Sequence, residues 1–171
     1  TQETFAADKT AQTITFADIN KAYGDGPFSL EASASSGLPV TYAISDTNIA
    51  SLAGGSNVTI LVAGETDITA TQTGNEEFAA AIVTARLTVA RAPLLITAGS
   101  TNKVYGETVV FTGSEFTPAG LLFSDSVTNV FISSDGATNT AGVGDYAVVA
   151  SAASGNGLSN YDITYSNGTL S

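Results

Sequence analysis

Ile14-Thr15-Phe16-Ala17-Asp18-Ile19-Asn20-Lys21-Ala22-Tyr23-Gly24-Asp25 returns 82 residues later as Ile96-Thr97-Ala98-Gly99-Ser100-Thr101-Asn102-Lys103-Val104-Tyr105-Gly106-Glu107. Ile-Thr and Asn-Lys-x-Tyr-Gly-acid are kept in both copies. In a chain of 171 residues, a repeat of this period predicts two modules of about 80 residues, a usual size for small domains. The first is expected over residues 11–90 and the second over 91–171. Residues 1–10 then read as the tail of a preceding module or a linker. The boundary is placed at Val89-Ala90-Arg91-Ala92-Pro93, because Pro93 lacks an amide donor and holds the residue before it extended, just ahead of the apolar run Leu94-Leu95-Ile96.

Working outward from the repeat, the hydrophobic period is that of strands. Gln12 to Phe16, Val40 to Ile44, Val58 to Val62, Ile68 to Thr71 and Arg86 to Val89 alternate in the first module. Leu94 to Ala98, Val109 to Thr112, Val127 to Ser133, Tyr146 to Ala150 and Tyr161 to Tyr165 are the candidates in the second. Turn signals such as Ser36-Gly37, Gly54-Gly55, Gly74-Asn75, Asp135-Gly136 and Asn156-Gly157 separate them at the spacing of a sandwich. Helix is confined at most to Glu76 to Ala81, where continuation into Ile82-Val83-Thr84 favours a strand. The fold class is therefore all-β, with two tandem small antiparallel β-sandwich modules. At the end of the chain, Tyr161 to Tyr165, Ser166-Asn167-Gly168 and Thr169-Leu170-Ser171 read as a hairpin on an Asn-Gly turn. Its three-residue return strand is short, which predicts that the natural chain continues.

Composition removes much chemistry. There is no Cys, His, Met or Trp. Thiol nucleophiles, disulfides, imidazole bases, and Cys or His ligands for zinc, haem or iron–sulfur groups are excluded. The 16 acidic residues against 5 basic ones give a net charge of −11, which argues against nucleic acid and against an anionic membrane surface. Residues 11–90 carry 8 acids and 2 bases and residues 91–171 carry 6 and 2, so neither module is a specialised charged patch. Mean hydropathy is +0.21, with β-branched and aromatic residues throughout, so the low charge content is not that of a disordered chain. No apolar run reaches the roughly 20 residues of a membrane-spanning helix, and no membrane insertion is expected. Lack of the oxidisable residues points to the cell exterior.

The second module resembles the MBG domain of the YGX type, a repeat of very large bacterial surface proteins. The resemblance rests on Ile96-Thr97, Lys103-Val104-Tyr105-Gly106-Glu107, Gly120-Leu121-Leu122, Gly144-Asp145-Tyr146-Ala147-Val148 and Gly157 through Leu170. The first module shares the opening Gln12 to Phe16 and Lys21 to Asp25 and then departs. Its segments Ala32 to Tyr42 and Gly64 to Asn75 resemble bacterial immunoglobulin-like adhesin repeats. The resemblance implies immunoglobulin-like sandwiches serving as a stalk or adhesin repeat of a secreted protein at the bacterial cell surface, extending a binding tip, with neighbouring repeats of the same chain as partners. It supplies no catalytic residues.

Four candidate sites remain. In the repeated motif, Lys21, Tyr23, Gly24 and Lys103, Tyr105, Gly106, the tyrosines either stack on sugars or pack inward while glycine permits a bend; the structural role is expected. The sugar alternative makes the chain a carbohydrate- or surface-binding module using loop Tyr and Asn residues. Acidic pairs Glu65 with Asp67, Glu76 with Glu77, and Asp18 with Asp25 are weak calcium candidates set against plain surface charge; no Asp-x-Asp-x-Asp-Gly loop is present and no cofactor is expected. Lys21 or Lys103 could form an isopeptide crosslink, which would lower the intact mass by one ammonia or water; the plain alternative is a surface stem covering apolar atoms. Two carboxylates across a sugar cleft would make a glycosidase, but modules this small leave little room for one, and no enzyme activity is expected. Asn57-Val58-Thr59 and Asn167-Gly168-Thr169 fit a glycosylation sequon formally and read as chance matches.

Overall fold

A computed structural model describes residues 8–171. The chain divides into two compact units between Ala90 and Arg91. Both are all-β; the only helical residues described are two short 3-10 turns in the second. Residues 1–7 lie outside the described residues. Thr10, expected ahead of the first module, belongs to it: its N–H donates to Glu77 O (2.8 Å) and its carbonyl accepts from Ala79 N (2.9 Å).

In the first unit, β1 (Ile14–Thr15), β2 (Ile19–Ala22), β3 (Phe28–Ser29), β4 (Ser33–Ala34), β5 (Thr41–Ile44), β6 (Ala50–Ala53), β7 (Asn57–Ile60), β8 (Gly64–Gln72) and β9 (Ala81–Ala90) follow in order. They form a four-stranded sheet, β2-β9-β8-β5, a three-stranded sheet, β3-β7-β6, and the pair β1-β4. Along β8 every second residue, Thr66, Ile68, Ala70 and Gln72, is buried, as are Ala85, Leu87 and Val89 along β9. This two-residue period sends one face of each strand inward to meet Ala50, Val58 and Ile60 of the smaller sheet.

The second unit contains β10 (Ala92–Ala98), β11 (Phe116–Ala119), β12 (Ser126–Ser133), β13 (Tyr146–Asn156), β14 (Tyr161–Ser166) and β15 (Gly168–Leu170). Its sheets are β11-β10-β14 and β12-β13-β15. Leu94 and Ile96 of the first meet Val130, Val148 and Leu170 of the second in the core. The all-β sandwich expectation holds, and most pairings are antiparallel. Each unit also holds a parallel pair, β2 with β9 and β10 with β14, so these sheets are mixed.

Two local expectations are corrected. Residues 161–171 are not a hairpin: β14 pairs with β10 in one sheet, whereas β15 pairs with β13 in the other. Asn167-Gly168 is the crossing between sheets. Gly168 is required there for close approach, since a Cβ would sit 2.4 Å from Gly99 O. Nor is Val109 to Thr112 a strand; the third strand of that sheet is β11, at the edge, where Pro118 needs no ladder donor.

Candidate functional site

The repeated motif folds into the same turn twice. In the first copy Asp25 N donates to Ala22 O (3.0 Å), while Asp25 Oδ2 accepts from Ala22 N (2.9 Å). In the second, Glu107 N donates to Val104 O (3.1 Å) and Glu107 Oε2 accepts from Val104 N (3.3 Å). The central pair is Tyr-Gly, with Gly24 at φ 102° and Gly106 at φ 94°. A glycine with positive φ at the third place of a four-residue turn is the type II pattern. The acid that follows it locks the turn from its side chain, so the conserved spelling Tyr-Gly-acid has a conformational cause.

Beyond the turn the copies differ. Asn20 to Ala22 lie in β2, parallel to Thr88–Ala90 of β9, and Tyr23 N donates to Ala90 O (2.9 Å). Tyr23 is 7% exposed. In the second copy, Thr101 N donates to Thr169 O (2.9 Å) and Lys103 N to Ser171 O (2.9 Å), a parallel ladder that reaches Lys103. Tyr105 is 68% exposed and lies with Lys103, Val143, Gly144, Tyr146 and Leu170 around a shallow notch.

The lysines hold different partners. Lys21 Nζ lies 4.8 Å from the centroid of the Phe28 ring, a cation–π contact. Lys103 Nζ donates to the carbonyls of Glu107 (3.2 Å) and Thr138.

Of the acidic candidates, Glu65 and Asp67 share a partner, and it is a cation of the protein itself. Glu65 and Asp67, two residues apart on one face of β8, converge on Arg86 of β9, at 3.2 and 3.5 Å. The protein's own cation thus sits between them. Asp18 Oδ1 accepts from Arg86 N (2.8 Å), whereas Asp25 closes the Tyr-Gly turn. Glu76 and Glu77 are exposed on the loop after β8, about 20 Å of strand from Glu65. Among the described residues no group of three or more carboxylates is placed to hold a metal.

Two further polar centres escaped notice in the sequence. The Glu115 carboxylate accepts from Thr112 N (3.0 Å), Gly113 N (3.0 Å), Ser114 N (3.2 Å) and Thr112 Oγ1 (2.7 Å). The Thr112 side chain first and the Thr112 N–H second pull its pKa from 4.5 to about 2 against an opposing effect of burial, with smaller help from the N–H groups of Glu115 and Gly113. The Thr-x-x-Glu spacing of a capping box was the available signal. Buried Tyr161 ties the loop after β11 to β14: its hydroxyl accepts from Leu122 N (2.8 Å) and donates to Asp125 Oδ2 (2.8 Å). Burial pushes its phenol pKa up.

These features define a class: a tandem protein of small all-β units, each opened by an acid-locked Tyr-Gly turn. The family model of the MBG domain (YGX type) matches residues 94–171, which takes in the second turn, the Tyr161 tie and β15. MBG domains are repeats of bacterial surface proteins. No curated protein matches the chain.

Proposed function

We propose that this chain is a non-catalytic stalk or adhesin repeat of a large secreted bacterial cell-surface protein, holding a binding tip away from the cell. The match of residues 94–171 to the MBG domain carries the reading. The short connection adds support: β9 ends at Ala90 and β10 begins at Ala92, leaving one residue between the two strands. A net charge of −11 keeps neighbouring fibres apart by like-charge repulsion. In this role the partners are neighbouring repeats of the same chain.

Antibody raised against residues 8–171 tests the location. Labelling of intact cells of the source organism, removed by external protease, is expected; signal only after permeabilisation would overturn the reading. One observation favours the second reading, a carbohydrate- or surface-binding module: the 68% exposure of Tyr105, whose ring is free to stack on a sugar. Glycan-array binding lost in Tyr105→Ala would support it, and an array without signal would remove it.

A further inference from the structure

The lysine of the repeated motif is tied down in one copy and left open in the other. Lys103 Nζ donates to the carbonyls of Glu107 and Thr138, whereas Lys21 Nζ lies 4.8 Å from the centroid of the Phe28 ring. Among the described residues Lys21 takes part in no ion pair, although Arg86 and Arg91 both do. In a chain with 16 acidic residues for 5 basic ones, a cation without a carboxylate calls for a cause.

Strand register shows how this ammonium is placed. Ile19 and Lys21 of β2 stand opposite Leu87 and Val89 of β9, which are buried, and paired residues share a face of the sheet. The Lys21 stem therefore leaves β2 on the core-facing side. β2 is an edge of the four-stranded sheet and β3 an edge of the three-stranded one, so the stem emerges where the sandwich is open, beside Phe28 of β3. An open groove of about 350 Å³ lies there, lined by Phe16, Asp18, Ile19, Lys21, Phe28 and Glu31. That volume falls within the range of roughly 300–1,000 Å³ found for small-molecule sites. Its apolar part is backed by the fold: the Phe16 ring lies 5.7 Å from that of Tyr42, whose hydroxyl accepts from Ala32 N at 2.7 Å.

The polar groups of the groove select the ligand. Asp18 and Glu31 are exposed. Asp18 Oδ1 accepts from Arg86 N, while Asp18 Oδ2 and the Glu31 carboxylate have no protein partner among the described residues. A fitting ligand must donate to two carboxylates, accept from an ammonium and lay an apolar face on phenylalanine rings. Polyanions are repelled by the acids, and a basic side chain is repelled by Lys21. A lipid tail would bury three charges without partners. A neutral pyranose meets every demand, because its hydroxyls both donate and accept and its C–H face packs on aromatic rings.

We propose that this groove binds a neutral pyranose unit of a glycan. Glu31 and Asp18 accept from sugar hydroxyls, Lys21 donates to a sugar oxygen, and Phe16 and Phe28 receive the C–H face. The inference rests on the carbohydrate-binding reading above but assigns the sugar to the first unit, whereas Tyr105 belongs to the second.

The test screens the full chain on an array of neutral glucan, galactan, mannan and chitin oligosaccharides beside acidic polyuronates. The strongest-bound oligosaccharide is then titrated into the unsubstituted chain and into Glu31→Gln, Lys21→Met, Phe28→Ala and Tyr105→Ala. Glu31→Gln and Lys21→Met are each expected to weaken binding of a neutral oligosaccharide by roughly tenfold or more, as for loss of a hydrogen bond to a charged group. Phe28→Ala should abolish it, and Tyr105→Ala should leave it unchanged. Because Glu31 is exposed, its substitution leaves the fold intact and reads binding alone. Binding lost in Tyr105→Ala and kept in the other three would overturn the groove while upholding the carbohydrate reading; an array without signal would remove both. Binding confined to polyuronates, lost in Lys21→Met and tightened in Glu31→Gln, would overturn the neutral class of ligand.

Discussion

The two copies of Asn-Lys-x-Tyr-Gly-acid share a turn and differ in what covers it. Around Gly24 and Gly106 the backbone, the closing bond and the acidic lock coincide. Those bonds span three residues and need nothing from elsewhere. Burial of the tyrosine is another matter: Tyr23 is 7% exposed and its N–H donates to Ala90 O of β9, whereas Tyr105 is 68% exposed. The motif dictates the turn, and whether its aromatic ring belongs to the core is settled outside the motif.

The sharpest way to break this comparison is to delete each ring. Tyr23→Ala removes a buried aromatic side chain and is expected to cost about 3–5 kcal/mol in the first unit. Tyr105→Ala, at an exposed position, should change stability by no more than roughly 0.5 kcal/mol. Calorimetry of the two variants checks both. Equal losses would mean that the exposed ring supports the fold as much as the buried one, and the distinction drawn here would fail.

A smaller effect compares the tyrosine hydroxyls that tie loops to strands. Tyr161→Phe leaves Leu122 N without its 2.8 Å acceptor and removes the 2.8 Å bond to Asp125 Oδ2, a loss of about 1–3 kcal/mol. Tyr42→Phe in the first unit removes the 2.7 Å bond from Ala32 N and the long 3.5 Å bond to Leu30 O, neither to a charged group, and should cost less, about 1 kcal/mol. Urea unfolding followed by strand-resolved hydrogen exchange separates the two units. A larger loss for Tyr42→Phe would show that the carboxylate adds nothing to the Tyr161 tie.

The turns themselves should respond alike. Gly24→Ala and Gly106→Ala each force a side chain into a positive-φ backbone, at roughly 1–2 kcal/mol. Around Gly106 no atom lies within 4 Å of the added methyl, so its cost is conformational alone. Similar exchange rates at Asp25 N and Glu107 N in the two variants would uphold a common local cause. A cost confined to Gly24 would make the turn depend on the strand that covers it.

This division between local and remote causes also explains what could be read from the chain. Parts of the long strands β8, β9 and β10 were legible because alternation in Ile68 to Thr71, Arg86 to Val89 and Leu94 to Ala98 is a local record of facing a core. The Tyr-Gly turn was legible for the same reason. Parallel pairing of β2 with β9 was not, because it joins residues 19–22 to 87–90 and leaves no local trace. Asn167-Gly168 carries the spelling of a hairpin yet serves a sheet-to-sheet crossing, where the backbone of Gly99 excludes any side chain. Val109 to Thr112 has the composition of a strand, but the Thr112 amide is taken by the Glu115 carboxylate and Val109 N by Ala137 O. The groove beside Lys21 requires the edges of two sheets to be placed first, so no pattern in the sequence could announce it.

The smallest predicted effect separates the units by pH. The folded-state pKa of Glu115, about 2, lies below its ordinary value of 4.5, so its bonds to Thr112 and Gly113 stabilise the second unit fully above that ordinary value. As pH falls through 4.5 toward 2 the carboxylate protonates and this contribution is lost. Glu115 is half-buried at the surface, where solvent still screens the carboxylate, and the gain is correspondingly modest. Glu115→Gln should therefore lower the stability of the second unit slightly at pH 7, and the difference from the unsubstituted chain should vanish by about pH 2. Hydrogen exchange in β12 and β13 reads the effect, with β8 and β9 of the first unit as internal reference. A difference that persists unchanged at pH 2 would show that the side chain acts through packing, because protonation would then have removed nothing.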